Sequence, residues 1–225
     1  MDRQGNTEIS RIQAEVETFL FDLDGTLIDS SKDIATAVNY ALEKIGRSPL
    51  PEEEIIKHVG YGGRKLMEGV LKTADKKMID EGVRLFREYY FKNPAQHTVL
   101  YPYAEELLIK LKKEGKKTGI VTNKYEDISR EIIQKLGIQK LIDVIIGGDT
   151  TNKKKPEPEP VLFALEKLGS FPDTSIIIGD SETDIQAGKN AGLKTVLVTY
   201  GFGKTELALS FEPDYVIKSL KDLLW

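Results

Sequence analysis

Two carboxylates set two residues apart at the end of an apolar run are the first place in this chain that could do chemistry. Phe19-Leu20-Phe21-Asp22-Leu23-Asp24-Gly25-Thr26 reads as a strand that stops on Asp22 and Asp24 and turns at Gly25. Residues i and i+2 of a strand share a face, so both side chains can converge just past the strand end. Open parallel sheets keep their ligand crevice there. Carboxylates held together repel, and a site that keeps both ionised needs a cation. Taken alone the pair reads equally as two solvated turn acids, since Asp and Gly are ordinary turn residues.

The ends of other apolar runs decide between these readings. Thr118-Gly119-Ile120-Val121 leads into Thr122-Asn123-Lys124, Ser175-Ile176-Ile177-Ile178 into Gly179-Asp180, and Asp143-Val144-Ile145-Ile146 into Gly147-Gly148-Asp149. Each run is short, β-branched and flanked by helical patterns, as buried strands of a parallel sheet are. Right-handed crossovers put all their C-terminal ends on one edge. Asp22, Asp24, Thr122, Asn123 and Asp180 then become neighbours across the sheet. Carboxylates, a hydroxyl and an amide make an all-oxygen setting for a hard divalent cation. Mg2+ suits it best, because it keeps waters and takes substrate phosphate as a co-ligand.

The elements that must position these residues follow from periodicity. Ile34, Ala37, Val38, Ala41, Leu42 and Ile45 mark one helix, and Met78, Ile79, Val83, Phe86, Tyr89 and Tyr90 another. Pro51 followed by Glu52, Glu53 and Glu54 reads as a helix N-terminus. From Ala104 onward helix and strand alternate, and Asp214-Tyr215-Val216-Ile217 suits a last edge strand. The expectation is an α/β fold: a doubly wound, Rossmann-like parallel-sheet core with a small all-helical cap inserted after the first strand. Its expected boundaries are an N-terminal extension at 1–17, a catalytic core at 18–30 and 98–225, and the cap at 31–97. In the extension Ile9, Ile12 and Val16 recur at helical spacing.

Composition narrows the classes further. At 225 residues the chain can bury a substantial core, and its net charge of −4 implies no broad basic surface for nucleic acid. It has no cysteine, which removes disulfides, thiolate metal sites and cysteine nucleophiles and fits a reducing cytoplasm. No run is long enough to span a bilayer, so no membrane role is expected.

Asp22-x-Asp24-Gly25-Thr26, Thr122-Asn123, Lys155-Pro156-x-Pro158 and Gly179-Asp180-x-x-x-Asp184, in that order, resemble the motif set of the haloacid dehalogenase-like phosphohydrolases. The resemblance covers nearly the whole chain from about Thr18. Gly147-Gly148-Asp149 shortly before Lys154-Lys155-Pro156, and Asn93-Pro94 before Tyr101-Pro102, resemble the phosphoglycolate phosphatase branch. The resemblance implies Asp22 as the nucleophile that forms an aspartyl-phosphate. It implies Asp24 as the acid that protonates the leaving alkoxide and later activates water. Asp180 becomes a further carboxylate at Mg2+, with the Asp24 backbone carbonyl as a ligand, while Asp184 either orients that shell or pairs with a helix dipole. Negative phosphoryl oxygens need donors, expected from the Thr122 hydroxyl, the Asn123 amide or backbone N–H, and Lys155. Charge does not choose among Lys153, Lys154 and Lys155; the following Pro156-x-Pro158 and the family motif select Lys155.

The expected function is a Mg2+-dependent phosphatase of small phosphomonoesters, 2-phosphoglycolate foremost. A sugar phosphomutase-type phosphotransferase and a catalytically silent phosphate-binding module are the alternatives, and Asp24 argues against a dehalogenase. In the cap, Arg64 after Gly60-Tyr61-Gly62-Gly63 suits a substrate carboxylate, because guanidinium matches carboxylate bidentately; a solvated helix residue is the plainer reading. Gly203-Lys204-Thr205 is no P-loop, since the motif's first glycine would fall at Val198. His58 and His97 have no catalytic partner in sequence, and the oligomeric state is not legible.

Overall fold

The computed structural model describes residues 15–224. From β1 (Thr18–Phe21) the chain passes a short strand β2 (Ile28–Asp29) into a helical insert of α1 (Ser31–Lys44), α2 (Glu52–Ile56), α3 (Gly63–Leu71) and α4 (Lys76–Lys92). It returns through β3 (Val99–Leu100). Then α5 (Ala104–Lys113), β4 (Lys117–Val121), α6 (Glu126–Lys135), β5 (Val144–Ile146), α7 (Glu159–Leu168) and β6 (Ser175–Gly179) alternate. The pattern ends with α8 (Glu182–Asn190), β7 (Lys194–Val198), α9 (Thr205–Leu209) and β8 (Tyr215–Ile217).

Six strands form one sheet in the order β5-β4-β1-β6-β7-β8, every neighbouring pair parallel. From β1 the chain builds outward through β4 to β5, then crosses back to β6 and builds the other way. The reversal flanks β1, and a crevice opens beyond the strand ends at such a switch. Side chains alternate across β1: Phe19 and Phe21 pack with Leu107, Leu108, Ile128 and Ile132 of α5 and α6, whereas Leu20 packs with Val161, Ala164 and Leu165 of α7 and Ala187 of α8. β1 is therefore covered on both faces, and truncating a fully buried leucine such as Leu20 to alanine in a core of this kind costs about 2–5 kcal/mol.

The insert holds together by helical stripes. α1 buries Ile34, Ala37, Val38, Ala41 and Leu42, and α4 buries Ile79, Leu85, Phe86 and Tyr90. Tyr40 and Tyr89 stack between them with ring centroids 4.5 Å apart. Asp75 caps α4 by accepting the Lys77 and Met78 N–H groups.

The way in and the way out of the insert are joined. β2 pairs antiparallel with β3, Ile28 opposite Leu100. At the start of α1, the buried Asp33 carboxylate accepts the Thr98 N–H at 2.8 Å, the Thr98 hydroxyl at 2.6 Å and the His97 N–H at 2.9 Å. This ribbon has no counterpart in the sequence expectations. Most of the expected extension at 1–17 lies outside the described residues; Glu17, just ahead of β1, is tied to the core through its N–H, which donates to the Thr174 carbonyl at 2.8 Å. Among the described residues no helix is long and apolar enough to cross a membrane.

Candidate active site

The strand ends bring the expected residues together. The Asp22 N–H continues the β1–β6 ladder onto the Ile178 carbonyl at 2.8 Å, which fixes Asp22 as the first residue beyond β1. Asp180 follows β6 directly, and Thr122 follows β4, its N–H held by the Ile146 carbonyl at 2.9 Å. Asp22, Asp180 and Asp184 form a buried group whose nearest oxygens lie within 4.8 Å of one another.

Two glycines make this approach possible. Gly25 takes a left-handed φ of 84°, and a Cβ there would collide with the Asp180 carboxylate. A Cβ on Gly179 would collide with the Asp184 side chain.

Each carboxylate of the group is held differently. Lys155 Nζ donates to Asp22 Oδ1 at 2.8 Å and to Asp184 Oδ1 at 2.5 Å, all three side chains being buried. Asp184 Oδ2 accepts the Ser181 N–H at 3.0 Å and the Ser181 hydroxyl at 2.7 Å, closing a capping box at the start of α8. Asp184 thus caps α8 and, through Lys155, sits beside Asp22. Asp180 Oδ2 accepts the N–H groups of Phe202 at 2.6 Å and Gly203 at 2.9 Å. The Phe202-Gly203 backbone, at the head of the Gly203-Lys204-Thr205 run that is no P-loop, serves as the grip on Asp180.

These contacts leave an electrostatic deficit. Burial pushes the Asp22 carboxyl up to about 6, against the opposing pull of Lys155 and with Asp184 adding to the rise. Burial, then the charges of Asp184 and Asp22, push Asp180 well above the usual carboxylate range despite the Gly203 and Phe202 N–H groups. One ammonium faces the three carboxylates, so ionising all of them leaves two negative charges in excess. An oxygen-only donor set with that excess fits a hard divalent cation such as Mg2+.

Asp24 stands apart from this group. Its carboxylate accepts Lys124 Nζ at 2.7 and 3.0 Å and the Ser30 hydroxyl at 2.5 Å. Burial alone would lower the Lys124 pKa, but Asp24 reverses this and holds the ammonium above its usual value. Sequence reasoning passed over Lys124, although it completes the Thr122-Asn123-Lys124 strand end.

Thr122 Oγ1 accepts the Lys124 N–H at 3.2 Å, which leaves its own O–H free to donate into the cavity it lines. Asn123 is committed elsewhere: Nδ2 donates to the Gly60 carbonyl at 2.8 Å and to the Lys155 carbonyl at 3.0 Å. With both amide hydrogens on carbonyls, its Oδ1 is left buried without a partner. Its backbone N–H is the donor that remains for a ligand. Asp149, from the Gly147-Gly148-Asp149 motif, accepts the Glu126 N–H at 2.8 Å and caps α6.

The insert closes over these residues. The cavity has a volume of ≈ 60 Å³, floored by Asp22, Asp24, Thr122 and Asp180 and roofed by Ile34, Val59, Gly60, Leu66, Phe86 and Tyr90 of the insert. The Tyr61 hydroxyl donates to Glu182 at 2.7 Å across the rim. Arg64 does not line the cavity, which corrects the expectation that its guanidinium meets a substrate carboxylate. Its half-exposed side chain pairs with Asp80 at 2.6 Å and Glu68 at 3.4 Å on the outside of the insert. The cause is helix register: α3 buries Gly63, Leu66, Met67, Val70 and Leu71, which turns Arg64 outward.

Comparison with known proteins agrees with this geometry. Residues 19–198, a span that holds the four ordered motifs from Asp22 to Asp184, match the haloacid dehalogenase-like hydrolase family. The chain is 42% identical over 209 residues to the phosphoglycolate phosphatase of Aquifex aeolicus, covering 93% of this chain and 95% of that protein. It is 35% identical over 231 residues to the phosphoglycolate phosphatase of Escherichia coli, covering 93% and 92% respectively. A solved structure described as a predicted phosphoglycolate phosphatase from Haemophilus somnus matches with a TM-score of 0.87 and 29% identity, covering 93% of this chain and 97% of that one. Sheet order, converging strand ends and these likenesses agree: the chain belongs to the haloacid dehalogenase-like hydrolases, on the phosphoglycolate phosphatase-like branch, and is a phosphoric monoester hydrolase.

Proposed function

We propose that the protein is a Mg2+-dependent phosphatase that hydrolyses small phosphomonoesters through an aspartyl-phosphate on Asp22, with 2-phosphoglycolate as its substrate, released as glycolate and phosphate. The observation that carries this reading is the Asp22–Lys155–Asp184 contact beside Asp180, on the floor of a small cavity closed by the insert. Residues 31–97 act as a cap domain over a catalytic core of residues 18–30 and 98–225.

Asp22 and Asp180, with the Asp24 backbone carbonyl and the supporting Asp184, would hold the ion. When bound, Mg2+ supplies charge neutralisation at the phosphoryl oxygens. Lys155 holds Asp22 Oδ1 at 2.8 Å, which orients the carboxylate and leaves Oδ2 to attack phosphorus. The bond between phosphorus and the leaving oxygen breaks as the new P–O bond to Asp22 forms, and Asp24 gives the leaving alkoxide its proton. Asp24 then takes a proton from water, the water oxygen attacks phosphorus, and Asp22 is regenerated as phosphate departs. The Thr122 hydroxyl and the Asn123 backbone N–H donate to the phosphoryl oxygens throughout.

Release of inorganic phosphate from a panel of small phosphate esters, with and without a chelator, tests this reading. Phosphate release from 2-phosphoglycolate that stops on chelation and returns with Mg2+ is expected, and full activity after exhaustive chelation would refute the metal requirement. Transfer of the phosphoryl group to a sugar without phosphate release would establish the phosphotransferase alternative instead.

A further inference from the structure

Beside Asp24 lies a pair of donors that the catalytic steps leave unused. Among the described residues that line the cavity, Lys124 is the one cation. Its ammonium lies 4.5 Å from the centroid of the Tyr90 ring, which comes down from α4 of the cap. Tyr90 is 1% exposed, and its hydroxyl makes no hydrogen bond. Lys124 is near enough to interact with that hydroxyl, yet the two make no well-formed hydrogen bond. A buried hydroxyl left without a partner is costly and uncommon, and it calls for one.

We propose that the Lys124 ammonium and the Tyr90 hydroxyl together bind the carboxylate of the substrate's leaving group. The inference rests on the proposed reading that the substrate is a carboxylate-bearing phosphate ester. Both groups are donors, and a carboxylate is acceptor-only with two oxygens, so each donor can take one of them. The walls around the pair, Ile34, Leu66 and Phe86, are apolar and offer an anion no competing partner. The first turn of α3 adds to the preference: Gly62 and Gly63 line the same cavity, and no side chain caps that helix N-terminus.

Position selects the same partner. Lys124 touches Asp24, the proton donor to the leaving oxygen, so the atoms attached to that oxygen must lie next to Lys124. A cavity of ≈ 60 Å³ favours a leaving group of a few atoms over a sugar ring. Lys124 comes from the core and Tyr90 from the cap, so the subsite is complete only with the cap seated. Tyr90 thereby reads the leaving group, a task that Arg64 cannot perform from outside the cavity.

The test compares 2-phosphoglycolate with ethyl phosphate, an ester of similar size without the carboxylate, on the Mg2+-loaded wild type, Tyr90→Phe and Lys124→Met. Wild type should favour 2-phosphoglycolate, and the ratio of the two kcat/KM values should fall about tenfold in Tyr90→Phe with ethyl phosphate held within about twofold. Lys124→Met should lose activity on both esters and more on the carboxylate one. The Tm of Tyr90→Phe should hold or rise, since an unpartnered buried hydroxyl has gone. A wild type that does not distinguish the esters would refute the carboxylate reading and the subsite with it. A wild type that does distinguish them, with a ratio that falls less than about threefold in Tyr90→Phe, would overturn the subsite alone. Should Tyr90→Phe not fold, an unchanged ratio in Lys124→Met overturns it equally.

Discussion

Asn123, at the end of β4, holds the Gly60 carbonyl of the cap at 2.8 Å with the same nitrogen that holds the carbonyl of Lys155 at 3.0 Å. One side chain thus spans the helical insert and the loop that carries Lys155, the lysine beside Asp22. Asn123→Ala would take the donor from the buried Lys155 carbonyl and from the half-buried Gly60 carbonyl, at a cost of about 1–3 kcal/mol. Thermal unfolding should show the loss of stability, and kcat/KM for 2-phosphoglycolate should fall about tenfold as the cap loosens. An unchanged Tm would mean that the contact carries no closure energy.

Replacing Asp22, the proposed nucleophile, gives the sharpest expectation. Asp22→Asn should lower kcat by about 10⁴-fold or more, because the amide cannot form the aspartyl-phosphate. Lys155 keeps its contact with Asp184, so the fold should persist, as circular dichroism would register. A variant retaining a tenth of wild-type turnover would remove Asp22 from that role.

The same substitution reports on pH. In the metal-free protein the Asp22 carboxyl is raised from 3.8 to about 6, chiefly by burial, so the folded state binds its proton more tightly than the unfolded chain does. Below about pH 4 both states hold the proton; between about pH 4 and pH 6 the unfolded chain releases it while the folded state keeps it, so stability falls by about 3 kcal/mol across that window and levels off above it. The asparagine amide of the variant carries no such charge. The Tm advantage of Asp22→Asn over wild type should therefore grow from pH 4 to pH 7 in the presence of a chelator. A constant difference across that window would contradict the raised value.

Arg64→Ala should leave kcat/KM for 2-phosphoglycolate within about twofold of wild type, because its guanidinium pairs with Asp80 and Glu68 on an exposed face. A selective loss on carboxylate-bearing esters, measured against ethyl phosphate, would return Arg64 to substrate recognition.

The residues that sequence made legible are those whose position is dictated by a strand end. Asp22, Thr122 and Asp180 each follow a short apolar run, and a parallel sheet sets the ends of such runs side by side. Asp184 was harder, since a helix-cap acid and a site carboxylate look identical until Lys155 is seen beside it. The outward turn of Arg64 was in fact available from the spacing of Leu66, Met67 and Val70 on α3. The β2–β3 ribbon was not, because two residues per strand are too few to show an alternation. Tyr90 gave only the message that it is buried; periodicity fixes the face of a helix and says nothing of whether a hydroxyl on that face has a partner.

The pairing of β2 with β3, tightened by Asp33, means that the polypeptide departs from the sheet and rejoins it at a single doorway. To the central strands, everything between those two short segments is a side branch. β1 and β4 can find one another whatever the branch contains, and lengthening it raises the entropy of closing the loop only logarithmically. A graft of another helical branch onto the same doorway would keep the phosphoryl-transfer floor and change the roof alone. Most of the roof is therefore written in a stretch of chain separable from the floor, and a descendant could exchange that stretch while Lys124 stayed behind as the floor's share of substrate choice.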